Sequence, residues 1–481
     1  MSTCTETFLP AHRRRQGRHG VWKQLHVAGA VVVGLLITAC GDKRAHTITA
    51  LKESIPSRSD NYAAKGARSA AADFDAAVPL AYYELSLEFS KRTGGFTPPV
   101  QARAFGYMGI ALYEAVVGGM SDHRSIASQL NGIGALPDAK GIPYDWSLVA
   151  NASLAEVMRG LWGDKTNRAA DNIADLNALE AQLASRYAAG VPPGLAMLSS
   201  EFGRVVGAAV FATSRDDGGD EGYLTNFPTS YTPPVGPGAW EPTATGQVAM
   251  QPYWGTTVGT FALASSTQCD PGPPPAYSEQ SGSAFYEEAN QVYQLSKTLT
   301  PEQVTIARYW ADGPGTISGP GHSLAIVNEV VAQQHANLAL AAEAYARAGV
   351  ADADAVTALW RAKYYYNLIR PFTYIRRVID PTWMALLPTP PFPEYVSAHS
   401  GQSAAVMATL ENLFGNNVAF IDHAHDADGF APRSFDRIFA AAEEAGISRL
   451  YAGIHFRSGN LNGQSLGRCV ATKVNSLDWR R

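Results

Sequence analysis

Cysteine is scarce: four in 481 residues, too few for a scaffold knit by disulfides, and none falls in a Cys-x-x-Cys pair or a Cys/His cluster of the kind that holds zinc. Charge is scarce too, at 17% of residues, and its balance is acidic. The formal net charge is −5, and residues 1–39 hold five basic residues against one acidic, which leaves −9 on the rest. That balance excludes nucleic acid as the expected partner, because its phosphates require a net basic face. Period-two alternation is rare, so few strands are expected. The glycine-rich "GPGTISGPG" at 313–321 lacks the closing Lys-Ser/Thr of a phosphate-binding P-loop. What is present is a globular composition, 46% hydrophobic and long enough for one large core or two smaller ones.

The amino terminus reads as an address. A basic stretch, "HRRRQGRH", precedes the apolar run "VAGAVVVGLLITA", too short to span a bilayer and right for the core of a signal peptide. The run ends in "ITAC", which resembles the lipobox of bacterial lipoproteins and makes Cys40 the lipidated first residue of the mature chain. Residues 1–39 are then signal, 40–75 a polar tether, and the protein is expected to be exported and anchored to a bacterial membrane, facing the periplasm or exterior. Cys4 leaves with the signal. Cys269 and Cys469 remain, and spacing leaves open whether they pair or stay as isolated thiols.

From Ala76 the pattern turns helical. "VQARAFGYMGIALYEAVV", "ADNIADLNALEAQLASRYA" and "GPGHSLAIVNEVVAQQHANLALAAEAYARAG" repeat apolar residues at three and four. One catalytic domain is expected over 76–481: helices over 76–213, a Gly/Pro/Ser and aromatic loop over 214–283, and pocket-forming helices over 284–475. A loop that long inside a compact domain reads as a cover over a site.

Three segments carry the chemistry. In "LWRAKYYYNLIRPFTY", Lys363 and Arg370 are seven apart, which on one helix places both on one face, with Pro371 as the stop. A solvated basic face is the bland alternative, weakened by the apolar company of Trp360, Leu368 and Ile369, among which two cations need an anion. In "LLPTPPFPEYVSAHSGQSA", the prolines hold the chain extended until a helix starts at or just after Ser397. The free N–H groups there favour an anion, with His399 in the first turn; a simple N-cap serine is the competing reading. In "SRLYAGIHFRSGNLNGQ", Arg449 and His455 are six apart, and "AG" at 452–453 can break the helix so that both converge.

Together, Lys-x6-Arg-Pro, Ser-x-His and Ser-Arg-x5-His resemble the signature of the vanadium-dependent haloperoxidases and the type 2 phosphatidic acid phosphatases, over about residues 76–475. The resemblance implies an all-α fold of helical bundles with a long Pro/Gly-rich loop. It implies a vanadate cofactor held by Lys363, Arg370, Ser397, Ala398, Arg449 and His455, with His455 as the metal ligand and His399 as the acid–base group. Asp312 is the expected carboxylate behind Arg449. Trp360 and Phe392 match aromatic positions near the halide. The implied reaction is oxidation of halide by hydrogen peroxide to hypohalous acid, with an organic acceptor as a further partner. The alternative is an acid phosphatase that works through a phosphohistidine at His455 and is inhibited by vanadate; a non-catalytic anion-binding lipoprotein is the third reading.

Two positions depart from the family pattern. Ala398 replaces a glycine between serine and histidine. Gly459 stands where an aspartate usually orients the ligand histidine. Asn460, a backbone carbonyl or a water is then expected to serve, and Gly459→Asp to strengthen vanadate binding. The group Asp422, His423, His425 and Asp426 reads as a solvated loop or rim, although with His322 it could suggest a metal. His46, His123 and His335 have no partner in sequence.

Overall fold

The computed structural model describes residues 70–481 apart from Asp164. The signal, Cys40 and His46 lie outside the described residues. Order begins earlier than a tether ending at 75 would have it. Ala71 and Phe74 are buried, and the Phe74 carbonyl accepts the Leu338 N–H at 2.8 Å, so apolar contact draws 71–75 into the core.

Among the described residues there are fourteen α-helices and one two-stranded antiparallel hairpin. An amino-terminal bundle contains α1 (Ala77–Arg92), α2 (Pro98–Val116), α3 (Trp146–Trp162), α4 (Ala169–Ala188) and α5 (Pro193–Ser214). Residues 215–283 are irregular apart from a 3-10 turn and the short α6 (Trp254–Thr257). Then come α7 (Ala284–Ser296), α8 (Pro301–Tyr309), α9 (Ser318–Gln333), α10 (Leu338–Tyr366), α11 (Pro371–Val378) and α12 (Ala398–Phe414). The hairpin of β1 (Phe420–Asp422) and β2 (Arg433–Phe435) leads into α13 (Ile438–Tyr451) and α14 (Arg457–Asn475).

The 29-residue α10 ties the two halves together, packing on α2 to one side and on α12 and α14 to the other. Its alanines favour the helix and keep its girth small. Close approach to α2 needs glycine on both helices: a Cβ at Gly109 would lie 2.5 Å from the Tyr345 carbonyl, and one at Gly349 would lie 2.4 Å from that of Phe105. At the start of α10 the Asn337 side chain accepts the Leu340 N–H. At its end Asn367 adopts the left-handed conformation, φ 45°.

The long loop is pinned rather than loose. Asp354 accepts the backbone N–H groups of Phe261, Ala262 and Leu263 at 2.6, 2.8 and 2.9 Å. Cys269 is bonded to Cys469, fastening the loop to α14. The Met250 N–H donates to the Pro391 carbonyl, and the Met250 carbonyl accepts from Tyr364 and Trp360. These bonds lay the loop against the segment that leads into α12.

Candidate active site

The two cations of the first segment do not share a helix face. Asn367 ends α10 four residues after Lys363, and Arg370 stands outside it as the residue before α11. Both nevertheless turn to one place, each about 5.0 Å from the centre of the Phe392 ring. Phe392 in turn packs on Trp360, ring centres 5.2 Å apart. The pair of aromatics thus walls the cations; it is a cation–π contact as well as a core contact.

Lys363 is fully buried, and its ammonium donates to the carbonyls of Pro393, Glu394 and Val396 at 3.2, 3.1 and 2.6 Å. An ammonium has three donors, so Lys363 shapes the loop before α12 and contributes charge, with no N–H left over as the direct anion ligand expected from sequence. The guanidinium groups are different. Arg370 donates from Nε to the Phe392 carbonyl and from Nη1 to the Ile454 carbonyl, and its Nη2 is buried without a partner. Arg449 donates to the Trp310 carbonyl, and its Nε is likewise buried without a partner.

Ser397 caps α12. Its Oγ accepts the Ser400 N–H at 3.4 Å and lies 2.9 Å from the Ser400 hydroxyl, whose single proton serves either Ser397 or the Asn460 Oδ1. The Ser397 N–H is taken by the Gly459 carbonyl. Ala398 opens the helix and is buried. In the last segment α13 ends at Tyr451, Gly453 takes φ 77°, and His455 falls in the connection before α14.

The geometry fixes the tautomer of His455. Arg370 Nη1 can only donate, and it lies 3.2 Å from His455 Nε2, so Nε2 carries a lone pair. The proton is therefore on Nδ1, 2.8 Å from Glu394 Oε1, which also accepts the Phe456 N–H at 3.0 Å. Burial, then Arg370, Lys363 and Arg449, hold the His455 imidazole well below its ordinary pKa. A neutral ring with its lone pair on Nε2 is the form that ligates a metal.

Glu394 is the carboxylate that sequence reasoning missed. Gly459 exists to admit it: a Cβ there would sit 2.3 Å from Glu394 Oε1. The expectation that Asn460, a backbone carbonyl or a water would serve is therefore corrected: Glu394 takes that place, and the Asn460 Oδ1 lies against the Ser400 hydroxyl instead. Burial raises the Glu394 carboxyl to about 7 against the pull of Arg370 and Lys363. The signal was available in "PFPEYVS", where one acid stands in an otherwise apolar, proline-held stretch.

Asp312 also differs from expectation. It makes no ion pair within bonding distance with Arg449 among the described residues, although its charge acts on that guanidinium. Its oxygens serve three histidines. Oδ2 meets His399 Nε2 at 3.1 Å, and Oδ1 meets His322 Nδ1 at 3.1 Å and His425 Nε2 at 2.9 Å. His322 Nε2 reaches Asp422 at 2.9 Å. Asp422 and His425 are buried members of this cluster, not a solvated rim; His423 and Asp426 are the exposed pair of that loop. His322, between two aspartates, is raised to about 10 by them despite its burial, so it is an imidazolium. His399 is pushed down to about 4 by burial and Arg449, against the hydrogen bond to Asp312. Away from the site, His123 joins Glu343 and Asp122, while His335 is exposed.

Three buried cations, two unpartnered guanidinium nitrogens, the Ser397 hydroxyl and a neutral imidazole lone pair define a pocket for a tetrahedral or trigonal oxyanion bonded to histidine. Vanadate fits this donor set: oxygens for the arginines and the serine, metal for His455 Nε2. The comparisons agree. A family described as "VCPO second helical-bundle domain" matches residues 343–478. The crystal structure of a bacterial vanadium-dependent iodoperoxidase is similar to 84% of the chain and 96% of its own, at 32% identity and a TM-score of 0.75. A bacterial vanadium-dependent chloroperoxidase in its holo form shares the fold at 15% identity and a TM-score of 0.60, over 80% of this chain and 92% of that one. No curated protein matches. The chain belongs to the vanadium-dependent haloperoxidases, all-α peroxidases that carry vanadate, and is not placed on the phosphatase branch.

Proposed function

We propose that this haloperoxidase oxidises iodide, from an extracytoplasmic lipid anchor at Cys40, in the balanced reaction of iodide, hydrogen peroxide and one proton to hypoiodous acid and water. The observation that carries the oxyanion chemistry is the pair of unpartnered nitrogens, Arg370 Nη2 and Arg449 Nε, beside the acceptor nitrogen of His455. The likeness to an iodoperoxidase over most of both chains supports iodide as the halide. Bound vanadate supplies a Lewis acid that activates peroxide. Arg370, Arg449 and Ser397 would hold its oxygens, and Glu394, bonded to His455 Nδ1, would keep the Nε2 lone pair available to the metal. His399, with Nε2 on Asp312, keeps Nδ1 as the nitrogen able to take a proton from peroxide. Trp360 and Phe392 form the apolar flank suited to a weakly hydrated halide.

Export is supported by the basic and apolar segments before Cys40 and by the Cys269–Cys469 bond, which an oxidising compartment favours. The test is a vanadate titration of the chain lacking residues 1–40, with iodide, bromide and chloride oxidation assayed beside hydrolysis of a phenyl phosphate. Iodide turnover that requires vanadate and disappears in His455→Ala is expected. Faster bromide or chloride turnover refutes the halide assignment, and vanadate-inhibited ester hydrolysis refutes the peroxidase reading.

A further inference from the structure

His399 is tied to the surface by a continuous chain of hydrogen bonds that leaves the pocket on its far side. His399 Nε2 meets Asp312 Oδ2 at 3.1 Å, Asp312 Oδ1 meets His425 Nε2 at 2.9 Å, and His425 Nδ1 meets Asp428 Oδ2 at 2.8 Å. Asp312 is enclosed and His425 nearly so, while the Asp428 side chain is 32% exposed. Both nitrogens of His425 face carboxylate oxygens, and a ring so placed can accept a proton on one side as it releases one on the other.

The surroundings suit conduction. His322, between Asp312 and Asp422, keeps Asp312 ionised, so that a proton does not come to rest there. Asp422 is itself fixed by the Ala424 N–H at 3.0 Å. The other groups around His425 are Tyr309, whose ring meets it edge-on at 5.1 Å, and the ring of Phe430; Arg433 lies beyond Tyr309. From the pocket side, Arg449 is the cation that acts on both Asp312 and His399. Every nitrogen of His322 and His425 lies against a carboxylate oxygen at hydrogen-bonding distance, and Asp312, His322 and His425 are also close enough to one another to hold a metal ion, which the experiment below distinguishes.

We infer that Asp428, His425 and Asp312 form a proton conduit that recharges His399 from bulk water. The inference rests on the peroxidase reaction, which consumes one proton per turnover. A proton arriving on Asp428 passes to His425 Nδ1. The Nε2 proton moves to Asp312, which is a carboxylate at rest and carries it only in transit; Asp312 Oδ2 hands it to His399 Nε2 in the tautomer that holds its own proton on Nδ1, and Nδ1 releases that proton to the reacting oxygen. No bond other than those to hydrogen changes. The His399 side chain is 18% exposed, so direct exchange with solvent is the competing route, which filling of the pocket by cofactor and substrate would hinder.

The experiment compares vanadate-loaded wild type with Asp428→Asn and His425→Gln. Expected are unchanged vanadate affinity and KM, a kcat lowered about tenfold or more in Asp428→Asn, a larger solvent isotope effect on kcat, and recovery as a small proton-carrying buffer such as imidazole is raised. Asp428 is at the surface, so its variant folds even if the His425 variant does not. Wild-type kcat in Asp428→Asn across the pH range overturns the conduit, as does a loss of activity that buffer leaves unmoved. One equivalent of bound transition metal lost on mutating His425 overturns it in favour of a metal site. A wild type without vanadate-dependent turnover is failure of the peroxidase reading, a separate result.

Discussion

Restoring the missing aspartate should harm this enzyme. In Gly459→Asp the new Cβ meets Glu394 Oε1 at 2.3 Å, far inside contact distance, and a second carboxylate is brought against the first. Glu394 must leave the His455 Nδ1 proton and the Phe456 N–H or the backbone must shift; overpacking of this kind costs about 1–3 kcal/mol in stability. Losing the carboxylate that orients a metal-ligating histidine typically costs about 10–100-fold in affinity, or about 1.4–2.7 kcal/mol. Vanadate Kd, read by calorimetric titration, should therefore rise at least about tenfold in Gly459→Asp. The paired change Glu394→Ala with Gly459→Asp exchanges one carboxylate for the other and should recover most of the affinity. Vanadate binding in the single variant as tight as wild type, or tighter, refutes the reasoning, and is what the sequence pattern alone predicts.

Arg370→Lys and Arg449→Ala each remove one unpartnered guanidinium nitrogen, and each should weaken vanadate by about 10–100-fold in the same titration, the range of a charge-assisted hydrogen bond. His322 has its pKa raised from 6.5 to about 10, so its stabilising contribution is complete below pH 6.5 and is lost as pH rises towards 10. The ceiling on that contribution is about 5 kcal/mol. The Tm gap between wild type and His322→Gln should accordingly shrink from pH 6.5 to pH 10, and a constant gap refutes the imidazolium. Occupation of the pocket by vanadate opposes Arg449 and should raise the His399 pKa from about 4, visible as a shifted imidazole titration by NMR. Cys269→Ser frees a 200-residue loop and should lower denaturant stability by up to about 5 kcal/mol.

The sequence by itself determined the helical class, through apolar spacing at three and four and the near absence of alternation. It also determined the kind of chemistry, because buried cations in apolar segments demand an anion and Ser397 before a helical run demands a cap. These are local properties of period, polarity and turn residues. The tertiary structure alone decided which donors stay free. Lys363 spends its protons on carbonyls thirty or more residues away, while Arg370 and Arg449 keep one nitrogen each. It alone replaced the absent aspartate by Glu394, 61 residues before His455, because Gly459 leaves room for it. It alone gathered His322 and His425 around Asp312, and joined cysteines 200 positions apart. Such pairings depend on how α10, α12 and the loops around them pack, and the distance between two side chains in space is not encoded in their distance along the chain.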